Sequence, residues 1–440
     1  MPPRRTTTPG FITILGAAGI AALIGCVQPD ESRPWSTTSR SVAAVAVPSD
    51  TAGPVPSPVL ESDPGIDEGP APSDSPNAAS GGGPRVSPTV KPAVRPGEIA
   101  VVPRPRAEPV TTPRTPLETK GPVVLRGNTS RDRARAWITQ AIRNDYSLVR
   151  AYAFEAMEHD PSLLLAEAGN GLVDDNRGVR FVATMGVGRA GLETLAPLIE
   201  PGLLDESPSV VAASIFALRE LGQPVDPSPL AGMAMDDDPE VRGNAYMVLG
   251  MLGNRSAIPV IDASLGQGMR LRNPMRIRIT QLQAAEALVS LGDQADVEPI
   301  RAALFAPVEQ GELTVLACDI LGRLQDEQAL PMLMRLVLAD GNERRPAEIR
   351  IAAAAAILQL PPPHLPGLDQ VILEYAGAED PLLRTQVAAA LARVSSPEAG
   401  QALDRLLGDP NPIVRTSAAG SILARPEPAS VDGNSAFQAP

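Results

Sequence analysis

Residues 238–252 read DPEVRGNAYMVLGML, and this stretch decides the fold. Asp238 is a residue type that caps helix N-termini, and Pro239 follows at the first helical position, where a missing N–H has no consequence. Offsets 0, 4, 7, 8 and 11 place five apolar residues on one face of an α-helix: Val241, Ala245, Val248, Leu249 and Leu252. The stretch therefore predicts a capped helix with one buried face.

The same pattern occurs nine times at spacings of 30 to 39 residues, which indicates stacked supersecondary units. Its register residues are Val149, Val179, Val210, Val241, Thr280, Leu313, Ile349, Leu383 and Val414. The fifth residue of each unit is small in eight of nine units, and the ninth is large and apolar in all nine. A partner helix is predicted in the rest of each unit, and a recurring proline is expected to kink or shorten it: Pro197, Pro259, Pro299 and Pro331. We predict an all-α fold of about nine antiparallel helix pairs.

The stretch from Asp238 to Leu249, together with the recurring proline of the partner helix, resembles a HEAT repeat of the short bacterial kind. The resemblance covers roughly residues 129–425 and implies a right-handed α-α superhelix, a HEAT-type solenoid. In that family an arginine beside the register residue pairs with acidic residues and forms a ladder along the stack. The matching positions are Arg150, Arg180, Arg242, Arg350, Arg384 and Arg415. Val211, Gln281 and Thr314 do not match, so we expect the ladder to be interrupted in the middle.

Residues 1–26 have the plan of a secretory signal. An apolar run from Phe11 to Ile24 follows two arginines and is too short to span a bilayer as a helix. It ends in Leu23-Ile24-Gly25-Cys26, which resembles a bacterial lipobox and implies cleavage before Cys26 and lipid attachment to its thiol. An ordinary signal or an uncleaved anchor is the alternative. Val27 is not acidic, which favours an outer-membrane anchor facing the periplasm or the cell surface over the inner membrane.

Residues 27–125 are rich in Pro, Ser, Ala, Thr, Val and Gly and lack helical or alternating periodicity. Such a composition buries too little apolar surface to offset its ordering entropy, so we predict a disordered tether. The predicted solenoid follows at 126–425. Residues 426–440 have no periodicity either, and we predict a disordered tail there.

The chain carries a formal net charge of −13 and has a pI near 4.8, which argues against nucleic-acid binding. Its two cysteines, Cys26 and Cys318, leave no disulfide framework in the solenoid. The two histidines, His159 and His364, lie about 205 positions apart and lack ligand spacing, so the sequence suggests no metal and no cofactor. No nucleophile elbow or phosphate-cradling loop is present, and no small-molecule substrate is evident.

The widest spacing between units holds an arginine-rich segment. Arg270, Arg272, Arg276 and Arg278 fall within residues 268–278. Insertions in solenoids form loops on one face, so a loop with four arginines could bind an acidic partner, a lipid head group or a polyanion. The alternative is a solvated loop, or arginines that neutralise carboxylates of the array.

Three functions fit the sequence. The first is a membrane-anchored lipoprotein without catalytic activity, whose solenoid binds or scaffolds another protein of the cell envelope. The second is an enzyme, because some proteins with similar short HEAT-like repeats are lyases that act on tetrapyrroles. The third is a structural component of the envelope.

Overall fold

The computed structural model describes residues 127–267, 273–363 and 366–426. In these ranges the secondary structure is helical, without a strand, so the predicted all-α solenoid is confirmed. The predictions for residues 1–126 and for 427–440 lie outside the described residues. No described helix combines the length and the apolar character that a membrane span requires.

Eighteen α-helices are present in the described part of the chain and alternate between two series. The register helices are α2 (Ser147–Ala156), α4 (Arg177–Arg189), α6 (Pro208–Glu220), α8 (Pro239–Leu252), α10 (Pro274–Ser290), α12 (Gly311–Arg323), α14 (Ala347–Ile357), α16 (Pro381–Leu391) and α18 (Pro412–Ala424). The partner helices are α1 (Ser130–Ala141), α3 (Pro161–Leu172), α5 (Ala196–Ile199), α7 (Pro229–Met233), α9 (Ile258–Gly266), α11 (Val297–Ala303), α13 (Leu330–Leu338), α15 (Leu368–Leu373) and α17 (Pro397–Leu407). They form nine pairs.

The predicted N-caps are present at four of five register helices. The side chains of Asn176, Asp238, Asp380 and Asn411 each accept a hydrogen bond from a main-chain N–H of the first turn. Ser207 is the exception, because its hydroxyl makes no capping bond. The caps start these helices at the predicted residues.

The two predicted columns form the core between the helix series. All nine fifth-position residues have no exposed surface, including Ser214 and Val387. The ninth-position residues are buried in eight units, and Ile422 of the last unit is partly buried. A small column beside a large one gives close packing between successive layers, as the sequence predicted.

Of the two expected effects of proline on the partner helices, the structure shows the shortening and not the internal kink. Pro197, Pro259 and Pro331 lie in the first turn of α5, α9 and α13, and Pro299 is the third residue of α11. Short 3₁₀ turns precede all four helices. Proline is tolerated in a first turn because its missing N–H has no intrahelical partner there. The proline therefore lies at the start of the helix and does not bend it.

The nine register helices close into a ring. Each packs against the next along the chain, and α18 packs against both α1 and α2, so the last unit contacts the first. Contacts between successive partner helices are sparse, which places the register helices on the inner side of the ring. The repeat pattern did not predict this closure, because an open solenoid carries the same local pattern.

The contact of α18 with α1 and α2 is called the seam. Trp137 of α1 is buried and donates a hydrogen bond from Nε1 to Thr416 Oγ1 at 3.0 Å. The Arg415 guanidinium lies over the Trp137 ring at 4.2 Å from its centroid. A Cβ at Gly420 would lie 3.0 Å from the Ala156 Cβ, which shows how closely α18 approaches α2. The last unit therefore makes a close, buried contact with the first at the seam.

Candidate interaction surface

The closed ring leaves little open space in its middle. Positions that face the middle, such as Met185, Phe216 and Ala389, are buried. Two crevices lie among these inner helices, with volumes of about 20 and 30 Å³. Volumes of this size hold one or two water molecules and exclude an organic ligand. A binding surface for a larger partner must therefore lie on an edge or on the outer face of the ring.

The ionisable groups of the middle are paired with one another. Glu158 binds Arg189 at 2.7 Å, and Arg323 binds Glu286 at 2.8 Å and also Asp319. The burial of the Glu158 carboxyl raises its pKa above the ordinary value although Arg189 opposes that shift. Within the described ranges, no cluster of three or more His, Cys, Asp or Glu side chains could hold a metal ion. We assign these groups to the packing of the inner wall.

The predicted arginine ladder runs along one edge of the ring, in the loops that lead into the register helices. Arg150 binds Asp174 with Nε and Nη2 at 2.8 and 2.7 Å, and also donates to the carbonyls of Asn144 and Asp145 in its own loop. Arg180 repeats the arrangement with Asp205 in the next unit, at 2.8 and 2.9 Å. Each arginine therefore fixes its own loop and ties it to the following one.

The spacing of the acidic residue decides which ladder arginines have an aspartate partner. Arg150, Arg180 and Arg384 bind the aspartate that lies five residues before the next register residue: Asp174, Asp205 and Asp409. That position is Met275 after Arg242 and Ala378 after Arg350. An arginine–aspartate pair therefore requires the aspartate at that position as well as the arginine.

Three ladder arginines bind other groups. The buried Arg242 donates to main-chain carbonyls of Met235, Asp236, Ser264 and Gln267. Arg350 binds Glu374 at 3.2 Å and also Tyr375 Oη. Arg415 donates to the carbonyls of Asp409 and Pro410 and lies against Trp137 at the seam. These arginines therefore bind main-chain or side-chain groups at helix ends, and Arg415 also contributes to the contact at the seam.

The pairing shifts the protonation equilibria along this edge. The hydrogen bond to Asp174 raises the pKa of Arg150. Burial would raise the pKa of Asp174, but the hydrogen bond from Arg150 and others outweigh it and hold that pKa below its ordinary value. Asp175 shares a hydrogen bond with Asp174, which raises the pKa of Asp175. Arg150 and Asp174 both stay charged at neutral pH, and the pair holds the loop in place.

The loops held by the ladder present apolar side chains to water. Val173 is 80% exposed and Leu204 is 91% exposed, and they occupy the same position in consecutive units, one residue before the ladder aspartate. Met235 occupies that position in the next unit and is half-buried. We call residues 173–175, 204–206 and 235–237 the ladder edge. The ladder edge is therefore the candidate interaction surface of the described residues.

Acidic side chains accompany each apolar residue of the ladder edge. The side chains of Asp175 and Glu206 are 91% and 88% exposed, and Asp237 is exposed in the third loop. In the first two loops a single arginine lies between two carboxylates, which leaves one net negative charge for each loop. The described residues as a whole contain 24 arginines, no lysine and 38 acidic residues, a formal net charge of −14.

The structure divides the four arginines that were expected in one loop. Arg270 and Arg272 lie outside the described residues. Arg276 and Arg278 lie in α10, which Asn273 caps, and Arg278 donates to Gln310. The wide unit spacing therefore lengthens α10, which begins six residues before its register residue, whereas α8 begins two residues before. The prediction of a single loop carrying all four arginines is wrong, because helix propagation from the Asn273 cap includes the last two.

Among the remaining cysteines and histidines, the structure describes Cys318 and His159. Cys26 lies outside the described residues, as does His364. Cys318 is fully buried in α12, and burial raises the pKa of its thiol well above the ordinary value. A protonated, enclosed thiol is inert.

A family model described as HEAT repeats matches residues 165–250 and 343–423. The chain is a HEAT-repeat protein. The matched ranges cover the ladder edge and the last three units. They leave out the first unit, with register residue Val149, and the two units with register residues Thr280 and Leu313, in which Gln281 and Thr314 replace the ladder arginine.

Among solved structures, the chain is similar to human deoxyhypusine hydroxylase in complex with glycerol, at 18% identity. The match covers 61% of this chain and 96% of that chain, with a TM-score of 0.32. No curated protein matches the chain.

Proposed function

We propose that this HEAT-repeat protein is a lipid-anchored, non-catalytic binding or scaffolding protein of the cell envelope, and that it binds another protein through the ladder edge. One observation carries the proposal. Val173 and Leu204 are almost fully exposed on loops that the Arg150–Asp174 and Arg180–Asp205 pairs hold in place. Exposed apolar side chains on a preorganised backbone lose little entropy on binding.

The anchor follows from the sequence of the N-terminal region. The lipobox-like residues 23–26 would attach lipid to Cys26, and about a hundred residues rich in proline and serine separate that cysteine from α1. Several acyl chains on one residue give firm membrane attachment. The array would then meet its partner within reach of the membrane.

Site-specific photo-crosslinking in living cells tests the proposal. A crosslinking amino acid replaces Leu204 in the full chain, and a second variant carries it at Gln401, an exposed residue of α17 in the last unit. We expect position 204, and not 401, to form a covalent adduct with one defined envelope protein. Cys26→Ala should release the protein from the membrane and reduce the yield of the adduct.

Two results would contradict the proposal. An absence of adducts from position 204, with the protein shown to be folded and exported, would remove the ladder edge as a binding surface. The same set of adducts from both positions would indicate proximity without recognition.

A further inference from the structure

We infer that the partner of the ladder edge is an extended protein segment in the polyproline II conformation, with an apolar residue at every third position and lysine or arginine between these apolar residues. The inference rests on the proposed function of that edge. Its basis is the occurrence of three loops at the same position in consecutive units, two of which carry an exposed apolar residue.

The spacing of the loops selects the conformation of the partner. Val173, Leu204 and Met235 are separated by 31 residues each, so they are one unit apart in the stack. Packed helices lie about 8–10 Å apart, and consecutive loops repeat at that distance. A polyproline II chain advances about 3.1 Å per residue and has three residues per turn, so every third side chain lies on the same face and three residues match one unit. In a β-strand successive side chains alternate between the two faces, so every third residue would not face the edge. Apolar side chains at every third residue would then meet one loop each.

The charge of the ladder edge determines which residues of the partner fit between its apolar residues. Asp174 and Asp205 are occupied by the ladder arginines, whereas Asp175 and Glu206 carry the surplus charge in exposed side chains. They lie two residues beyond Val173 and Leu204, and Asp237 holds the same position beyond Met235. The apolar and acidic columns therefore run side by side. A lysine or arginine next to each apolar residue of the partner can pair with the acidic column, whereas an acidic segment would be repelled.

An α-helix would meet the edge differently. A helical partner needs seven residues for about the same advance, because its rise is about 1.5 Å per residue. Its diameter of about 10–12 Å would also cover Asp175 and Glu206. An extended segment carries its own charged side chains to these carboxylates. The two conformations therefore require different sequence periods, which makes them separable by experiment.

Four fluorescent peptides provide the test, with binding to the purified full chain measured by anisotropy. The first has four Leu-Lys-Ser triplets, the second has Glu in place of Lys, and the third keeps the composition of the first but groups its leucines. The fourth is a helix-forming peptide with leucine at every seventh position and the same net charge. We expect the first peptide to bind at least about tenfold more tightly than each of the others.

Variants of the chain locate the binding. Leu204→Ser should weaken binding of the first peptide by about tenfold, since burial of one leucine side chain has an effect of this order. Glu206→Gln combined with Asp175→Asn should weaken binding and reduce its dependence on salt. Leu338→Ser, at a leucine that is 63% exposed in the seventh unit, is the matched control and should leave binding unchanged. Thermal unfolding of each variant confirms that it is folded.

Several outcomes would overturn the inference. Equal binding of the Lys and Glu peptides would remove the charge argument, and tighter binding of the helical peptide would remove the extended conformation. Binding unaffected by Leu204→Ser would show nonspecific attraction to an acidic protein. If position 204 forms its adduct in cells while the first peptide does not bind, the inference fails and the proposed function stands. If no adduct forms, the proposed function itself fails.

Discussion

Closure of the ring through the seam leads to a quantitative prediction for Trp137→Ala. The indole is 5% exposed, its Nε1 donates to Thr416 Oγ1, and the Arg415 guanidinium lies on its face. Truncation of a buried tryptophan to alanine lowers the free energy of unfolding by about 3–5 kcal/mol. The lost cation–π contact adds about 1 kcal/mol. Thr416 keeps its bond to the Pro412 carbonyl, so little is added there.

We therefore expect a loss of about 4–6 kcal/mol in urea unfolding, from a total of about 5–15 kcal/mol typical of folded proteins. Phe216→Ala is the control, because Phe216 is equally buried in α6 but lies away from the seam. Both variants should lose stability, but only Trp137→Ala should loosen the ring.

Spin labels at Gln140 of α1 and Gln401 of α17 report the seam, since both side chains are exposed on either side of it. Their distance distribution should broaden in Trp137→Ala and remain narrow in Phe216→Ala. A loss below about 1 kcal/mol for Trp137→Ala would refute the packing argument, because that is far below the value for a buried indole. If Trp137→Ala loses the expected stability but its distance distribution stays narrow, the argument that Trp137 keeps the ring closed is refuted.

Three further predictions concern the interior. Gly188→Val should destabilise the protein by at least about 1–3 kcal/mol in thermal unfolding, because a Cβ there would lie 2.6 Å from the Ala217 Cα. Gly169→Ala is the control and should not show this steric loss of stability, because a Cβ at that site would meet nothing within 4 Å. Burial and the charges of Arg393 and Arg131 lower the pKa of His159 to about 4, so the unfolded state binds the proton more tightly and stability should fall as the pH drops from about 6.5 to 4. His159→Gln should flatten that part of the pH profile. Cys318 should react with a thiol reagent only at the rate of unfolding, and rapid labelling of the native protein would contradict its burial.

Much of the fold could be predicted from the sequence because the decisive interactions are local. Asp238 caps its own helix, and the buried face of α8 follows from the 3.6-residue period. The ladder could have been predicted more fully from one further position, five residues before the next register residue. That position is an aspartate after Arg180, which has an aspartate partner. It is not an aspartate after Arg242, which has no aspartate partner. That rule combines two positions in neighbouring units and was not visible from the arginine column alone.

The interaction surface could not be predicted in the same way. Leu204 follows Leu203 at the end of an apolar run, and composition alone assigns both residues to the core. The structure buries part of Leu203 and leaves Leu204 exposed, because the chain turns towards α6 at that point. Arg276 and Arg278 illustrate the opposite case, in which residues read as loop were incorporated into a helix.

The amino-acid sequence by itself determined the helix pairs, their register, the residues between their layers and four of the caps. These follow from interactions within one unit or between adjacent units. Only the tertiary structure decided that the array closes and that Val173 and Leu204 lie exposed on one edge of it. Trp137 and Thr416 meet across 279 positions, and their contact depends on small rotations summed over nine units. The sequence of a single repeat therefore does not predict whether the array closes.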